Sequence, residues 1–108
     1  MTPVTINEFK RLDIRVVRVL AACKIPGRSR ILKLSVDIGR GETRQMVAGG
    51  ADRYSTEDFV NRKFIALVNL EPKRIAGLES QGMLLATDTR PPFWLSVSDA
   101  APVGSRII

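Results

Sequence analysis

With 108 residues, 44% of them hydrophobic, the chain suits one domain built on a single core. It has no histidine and one cysteine, Cys23, which excludes imidazole general-base chemistry, the usual zinc constellations and an intrachain disulfide. The formal charge of +6 favours an anionic partner, nucleic acid before membrane surfaces or acidic proteins.

Thr5 to Leu12 reads as a short helix with Ile6, Phe9 and Leu12 on one face. Ile14 to Ala22 reads as a strand whose alternation slips, and a bulge at Val16-Val17 would leave Arg15 and Arg18 outside and Val19 inside. Ile25-Pro26-Gly27-Arg28-Ser29-Arg30 is a turn with two cations. Ile31 to Ile38 alternates cleanly, sending Leu32, Leu34, Val36 and Ile38 inward and Lys33, Ser35 and Asp37 outward. Gly39-Arg40-Gly41 turns the chain into a third strand, Thr43 to Ala48. Ser55-Thr56-Glu57-Asp58 has the capping hydroxyl and acidic first turn of a helix ending near Asn61. Phe64 to Leu70 is apolar on both faces, as in a strand covered on both sides, and Met83 to Ala86 gives a fifth strand. Phe93 to Val97 and Arg106 to Ile108 read as short extra strands.

Charge is unevenly placed. The first 54 residues hold eleven Lys/Arg against five Asp/Glu, whereas the last 54 hold six of each. No segment approaches the roughly 20 apolar residues of a membrane span, and the N-terminus lacks a basic region followed by an apolar stretch. A cytoplasmic location is the economical expectation. No catalytic constellation emerges, since Ser80 has no evident base and Asp13, Asp37 and Asp52 lack metal-loop spacing, so a non-enzyme is expected and no cofactor is implied.

Residues 63 to 87 carry the most specific pattern: an apolar strand ending in Asn69-Leu70-Glu71-Pro72, a basic turn Lys73-Arg74, and Gly77-Leu78-Glu79-Ser80-Gln81-Gly82-Met83 opening the last strand. With Asp13-Ile14-Arg15-Val16 upstream, this resembles the tRNA-binding domain family over nearly the whole chain, as a single domain spanning residues 1–108. That family includes the C-terminal extension of methionyl-tRNA synthetases, stand-alone tRNA-binding proteins and CsaA-type chaperones. The resemblance implies an all-β, five-stranded oligonucleotide/oligosaccharide-binding (OB-fold) barrel, with a short helix between strands three and four. The five strands read from the pattern agree with it.

Two sets of residues are candidates for RNA contact. Arg15, Arg18, Lys33 and Arg44 sit among apolar neighbours in strands, so they are expected to project together from a barrel face and neutralise phosphates. Asn69, Lys73, Arg74, Ser80 and Met83 belong to the signature, which the resemblance places near the tRNA contact surface. Their amide, hydroxyl, cations and thioether suit base edges, 2′-OH groups, phosphates and base faces respectively. Among six aromatics, Phe9, Phe59, Phe64 and Trp94 read as buried and Tyr54 as a stacking platform. So few exposed rings argue for a folded RNA held by backbone and shape over an unstructured strand.

The leading expectation is a non-catalytic, stand-alone tRNA-binding module. The alternative is a CsaA-like export chaperone that binds unfolded polypeptides, since Pro72-Lys73-Arg74-Ile75-Ala76-Gly77 resembles the CsaA form of the turn. An aminoacyl-tRNA synthetase is a further expected partner. The family's His-Pro-x-Ala-Asp-x-Leu loop is here Ile25 to Ile31, without the acidic residue. Apolar chain ends (Ile6, Phe9 and Leu12, and Val103 to Ile108) lead to the expectation of a two-fold homodimer that buries both.

Overall fold

Alternation in the first two long strands sets the barrel's inside and outside. In the computed structural model, which describes residues 1–108, β1 spans Ile14–Ile25, β2 Arg28–Gly39, β3 Glu42–Gly49 and β4 Lys63–Leu67. A two-stranded ribbon of β5 (Lys73–Ile75) and β6 (Leu78–Ser80) follows, then β7 (Met83–Leu84). The main sheet is antiparallel in the order β3-β2-β1-β4-β7. As expected, Leu32, Leu34, Val36 and Ile38 are fully buried, and they pack with Val17, Val19, Met46, Phe59, Phe64, Ala66 and Leu84. The arrangement is the five-stranded barrel anticipated from the strand pattern.

The signature segment completes the barrel where β3 would otherwise present a free edge. Gln81 N–H donates to Gln45 O (2.7 Å), and Gln81 Oε1 accepts from Gln45 N–H (3.2 Å). Ser80 Oγ accepts from Val47 N–H (3.1 Å) and donates to Gly82 O (3.0 Å). Gly82 must be glycine: its φ is +127°, and a Cβ there would sit 2.7 Å from the Met46 methyl and 2.9 Å from Leu67 O. Ser80 and Gly82 therefore serve closure, with side-chain hydrogen bonds replacing part of a strand ladder.

Several expected elements differ in detail. The Ile25–Arg30 turn shrinks to the two residues Pro26-Gly27, because Ile25 already pairs with Arg28. Proline sets the first turn residue and Gly27 takes φ +75°, the pattern of a type II turn. The basic turn after β4 is the β5–β6 ribbon, whose two-residue loop Ala76-Gly77 has φ of 52° and 80°. The helix between β3 and β4 is a single 3-10 turn, Thr56–Asp58, whose Asp58 carboxylate accepts from Ser55 N–H (2.7 Å). It stops early because Phe59 turns into the core and Asn61 adopts φ +63°. The N-terminal helix is also shorter than expected, Ile6–Lys10, capped by Thr5 and Glu8.

No bulge occurs at Val16-Val17. Residues Ile14 to Arg18 run in unbroken register against Leu67 to Lys63, so Val16 and Val17 point to opposite faces. Both are buried because the strand is covered twice. Val17 faces the barrel core, while Ile14 and Val16 face a second cluster with Ile65, packed under Phe9, Leu85, Val97, Ala101 and Ile107. The irregularity instead falls at Leu20, which has no partner between the Val19–Val36 and Ala21–Ser35 pairs and is exposed.

The C-terminal tail completes this outer layer. Gly104 N–H donates to Val16 O, Ser105 O accepts from Val16 N–H, and Ile107 N–H donates to Ile14 O (2.7, 2.8 and 2.8 Å). Arg106 donates to Lys10 O (2.7 Å), tying the tail to the N-terminal segment. Much of the apolar tail thus packs on its own barrel, leaving Ile108 exposed with Ile6 and Leu12 at the other end.

Candidate nucleic-acid interface

The register places the four strand cations in different settings. Arg44 pairs with Val36 and Arg15 with Ala66, both core-facing partners, so these two side chains emerge from the end of the barrel interior. There Arg15 grips Asp13 with two nitrogens (Nε–Oδ1 3.0 Å, Nη2–Oδ2 2.7 Å) and also donates to Ile38 O. Arg44 donates to Glu42 (2.7 Å) and to Val68 O. The hydrogen bond from Arg15 holds the Asp13 carboxyl below its ordinary pKa and raises that of Arg15 in return. The expectation that both arginines project from the outer face is therefore corrected: two guanidiniums follow the inward parity of their strands and are already engaged with carboxylates. Arg18 does face outward, donating to Asn61 O (2.9 Å), and Lys33 lies on the outer face between Cys23 and Val47.

The signature residues divide in the same way. Asn69 Oδ1 accepts from Asp13 N–H (2.8 Å) and its Nδ2 donates to Arg11 O (2.7 Å), clamping the end of β4 to the N-terminal segment. Ser80 is only 5% exposed, with its hydroxyl spent on barrel closure. Lys73 and Arg74 are both exposed but are successive strand residues, so they point to opposite faces of the ribbon. Arg74 bonds Gly77 O (2.8 Å). Lys73 instead lines a groove of about 320 Å³ with Val47, Leu70, Ile75, Met83 and Trp94. Met83 is 45% exposed there. Tyr54 is no free platform: its hydroxyl donates to Pro92 O and its ring stands edge-on to Phe59 and Trp94.

A second group of cations, scattered in sequence, converges at the barrel end carrying the β1–β2 turn. Arg30, Arg53 and Arg90 line one open cleft with Gly49, Gly50, Asp52 and the Pro91-Pro92 pair. Lys24 and Arg28 line the adjoining hollow around Pro26 and Gly27. All five are exposed, and none of their side chains has a hydrogen bond or ion pair within the protein. The only acid on the cleft is Asp52. The two cations in the turn were visible as a pair in the sequence. Arg53 and Arg90 were not, because only the fold brings them beside Arg30.

A nearly closed five-stranded barrel of this kind is the frame of an OB domain, which serves oligonucleotide and oligosaccharide binding alike. The family model "Putative tRNA binding domain" matches residues 14–106, and the chain belongs to that family. It is 36% identical over 107 residues to the methionine–tRNA ligase of Methanocella arvoryzae, a match covering 99% of this chain and 16% of the ligase, so the chain spans about one sixth of that relative. Among solved structures it resembles a MetRS-related protein from Pyrococcus horikoshii, with 37% identity, a TM-score of 0.91 and full coverage of both chains. It also resembles the chaperone CsaA from Bacillus anthracis, with 28% identity and a TM-score of 0.86 over 99% of this chain and 100% of that one.

Proposed function

We propose that this domain is a non-catalytic module that holds folded tRNA mainly by its phosphate backbone, in the cytoplasm, alone or alongside an aminoacyl-tRNA synthetase. The observation that carries this reading is the convergence of Lys24, Arg28, Arg30, Arg53 and Arg90, all without internal partners, on one end of a tRNA-binding-family barrel. Unpaired cations release counterions from phosphate at little cost to the protein, whereas Arg15 and Arg44 would first have to leave their carboxylates. Lys33 and Lys73, which also make no internal hydrogen bond, are further candidate phosphate contacts, with Arg18 and Arg74 as cations already bonded to backbone carbonyls. Asn69 and Ser80 support it from within, by holding β4 and closing the barrel.

Filter binding tests the reading. Bulk tRNA should bind more tightly than an unstructured RNA of equal length. With about five phosphates engaged, the log–log salt slope should be on the order of −3 to −5. A flat salt response, or equal affinity for the unstructured strand, would count against it.

A second reading, polypeptide binding, is favoured by the likeness to CsaA together with the apolar groove beside Met83. Competition of an unfolded polypeptide for bound tRNA separates the two.

We further propose a two-fold homodimer. Ile6 (65% exposed), Leu12 and Ile108 leave an apolar rim around the packed termini that a second copy would cover. Light scattering at micromolar concentration should give a mass near twice 11.9 kDa; a monomer would refute the pairing.

A further inference from the structure

The apolar groove and the cationic cleft meet at one residue. Gly49, the last residue of β3, lines both. A Cβ built on Gly49 would meet nothing within 4 Å, so the space directly over the shared residue is open. On one side lie Arg30, Arg53 and Arg90, and on the other Val47, Leu70, Ile75, Met83 and Trp94 with Lys73 among them. No acid lines the groove.

We infer that the groove receives a single unstacked nucleobase, while the flanking phosphates lie on the arginine cleft across Gly49 and on Lys73. This rests on the RNA-binding reading above and adds to it a base-binding subsite. Charge selects this occupant. A nucleotide is a flat base joined to anionic phosphates, and here an apolar hollow carries Lys73 in its lining and shares Gly49 with a cleft of three arginines. Groove contents are suited to a base face: an exposed Met83 thioether, Leu70, and the ring of Trp94. An unpaired base, as found in RNA loops and single-stranded ends, could enter; a base inside a continuous helix could not, since it cannot leave its stack cheaply.

Trp94 is the only tryptophan and lines the groove, so its fluorescence responds to what enters there. Bulk tRNA should quench it, whereas inorganic polyphosphate and a blunt RNA duplex should bind the cations without changing it. Gly49→Ile tests the passage: the position is an exposed strand residue with open space around it, so a β-branched side chain should fold there yet stand between groove and cleft. It should cost about tenfold in tRNA affinity and abolish the quench. The salt slope should stay unchanged, because no cation is lost. Should that variant melt well below the wild type, Leu70→Ala with Met83→Ala should produce the same pattern by removing groove contacts. Tight tRNA binding with Trp94 unaffected, or a folded Gly49→Ile chain with wild-type affinity and quench, would overturn the base subsite while leaving the phosphate reading intact. Failure of tRNA to bind at all would overturn both. Quenching by an unfolded polypeptide but not by tRNA would assign the groove to protein and overturn the base subsite.

Discussion

Replacing Gly39 by alanine is expected to lower the melting temperature by about 10–20 °C, the cost of roughly 2–4 kcal/mol in a domain of this size. Gly39 ends β2 at φ +104°, and a Cβ there would stand 2.6 Å from the Gly104 Cα, backbone against backbone. Nothing flexible can yield. The C-terminal tail would have to lift from β1, breaking the Gly104–Val16 and Ser105–Val16 hydrogen bonds and uncovering Ile14 and Val16. Gly41→Ala separates clash from strain. It occupies the same hairpin at φ +74°, but with nothing within 4 Å of a Cβ. It should cost only about 1 kcal/mol. Equal melting temperatures for the two variants would show that the contact between Gly39 and Gly104 does not hold the tail.

Neutralising the cleft should have the largest effect on binding. Arg30→Gln, Arg53→Gln and Arg90→Gln together are expected to weaken tRNA binding by about tenfold to a hundredfold near 0.1 M salt, and to make the log–log salt slope shallower by about two to three. The side chains are exposed and make no internal bonds, so thermal unfolding should shift little. Arg15→Gln with Arg44→Gln is the contrasting pair. These arginines already hold Asp13 and Glu42, so their loss should register in stability more than in the salt slope. Measuring slope and melting temperature on both sets decides between the cationic end and the strand cations as the phosphate surface. An unchanged slope in the triple variant would remove the cleft from the site.

Much of the barrel was legible in the chain itself. Leu32, Leu34, Val36 and Ile38 alternate with polar neighbours at period two, and a half-buried strand imposes just that pattern, so β2 and its inner face were read correctly. Turn residues declared themselves as well: Arg40-Gly41 takes positive φ at both positions, at 56° and 74°, as a tight hairpin needs. The signature from Asn69 to Met83 pointed to the family because its spacing is long and ordered. Its residue types did not disclose their work. Asn, Ser and Gly serve RNA contacts and backbone closure equally well, and only the partners of Asn69 and Ser80 show that they hold the fold.

What local reading could not supply was parity against a second covering layer. A slip at Val16-Val17 looks the same in sequence whether one residue bulges or a tail covers the outer face. The structure has the tail, brought from Gly104 to Ile107, some ninety residues away. That parity sends Arg15 and Arg44 to the barrel end and into carboxylates, out of the face they were expected to share with Lys33. Convergence of Arg30, Arg53 and Arg90 is equally a tertiary matter, because the three lie in segments far apart along the chain. By itself the sequence determined a basic β-barrel, since period, turn chemistry and net charge are local or additive properties, and its ordered signature carried the resemblance to the tRNA-binding family. Only the tertiary structure decided which cations are free, because freedom from a partner depends on what the rest of the chain places beside them.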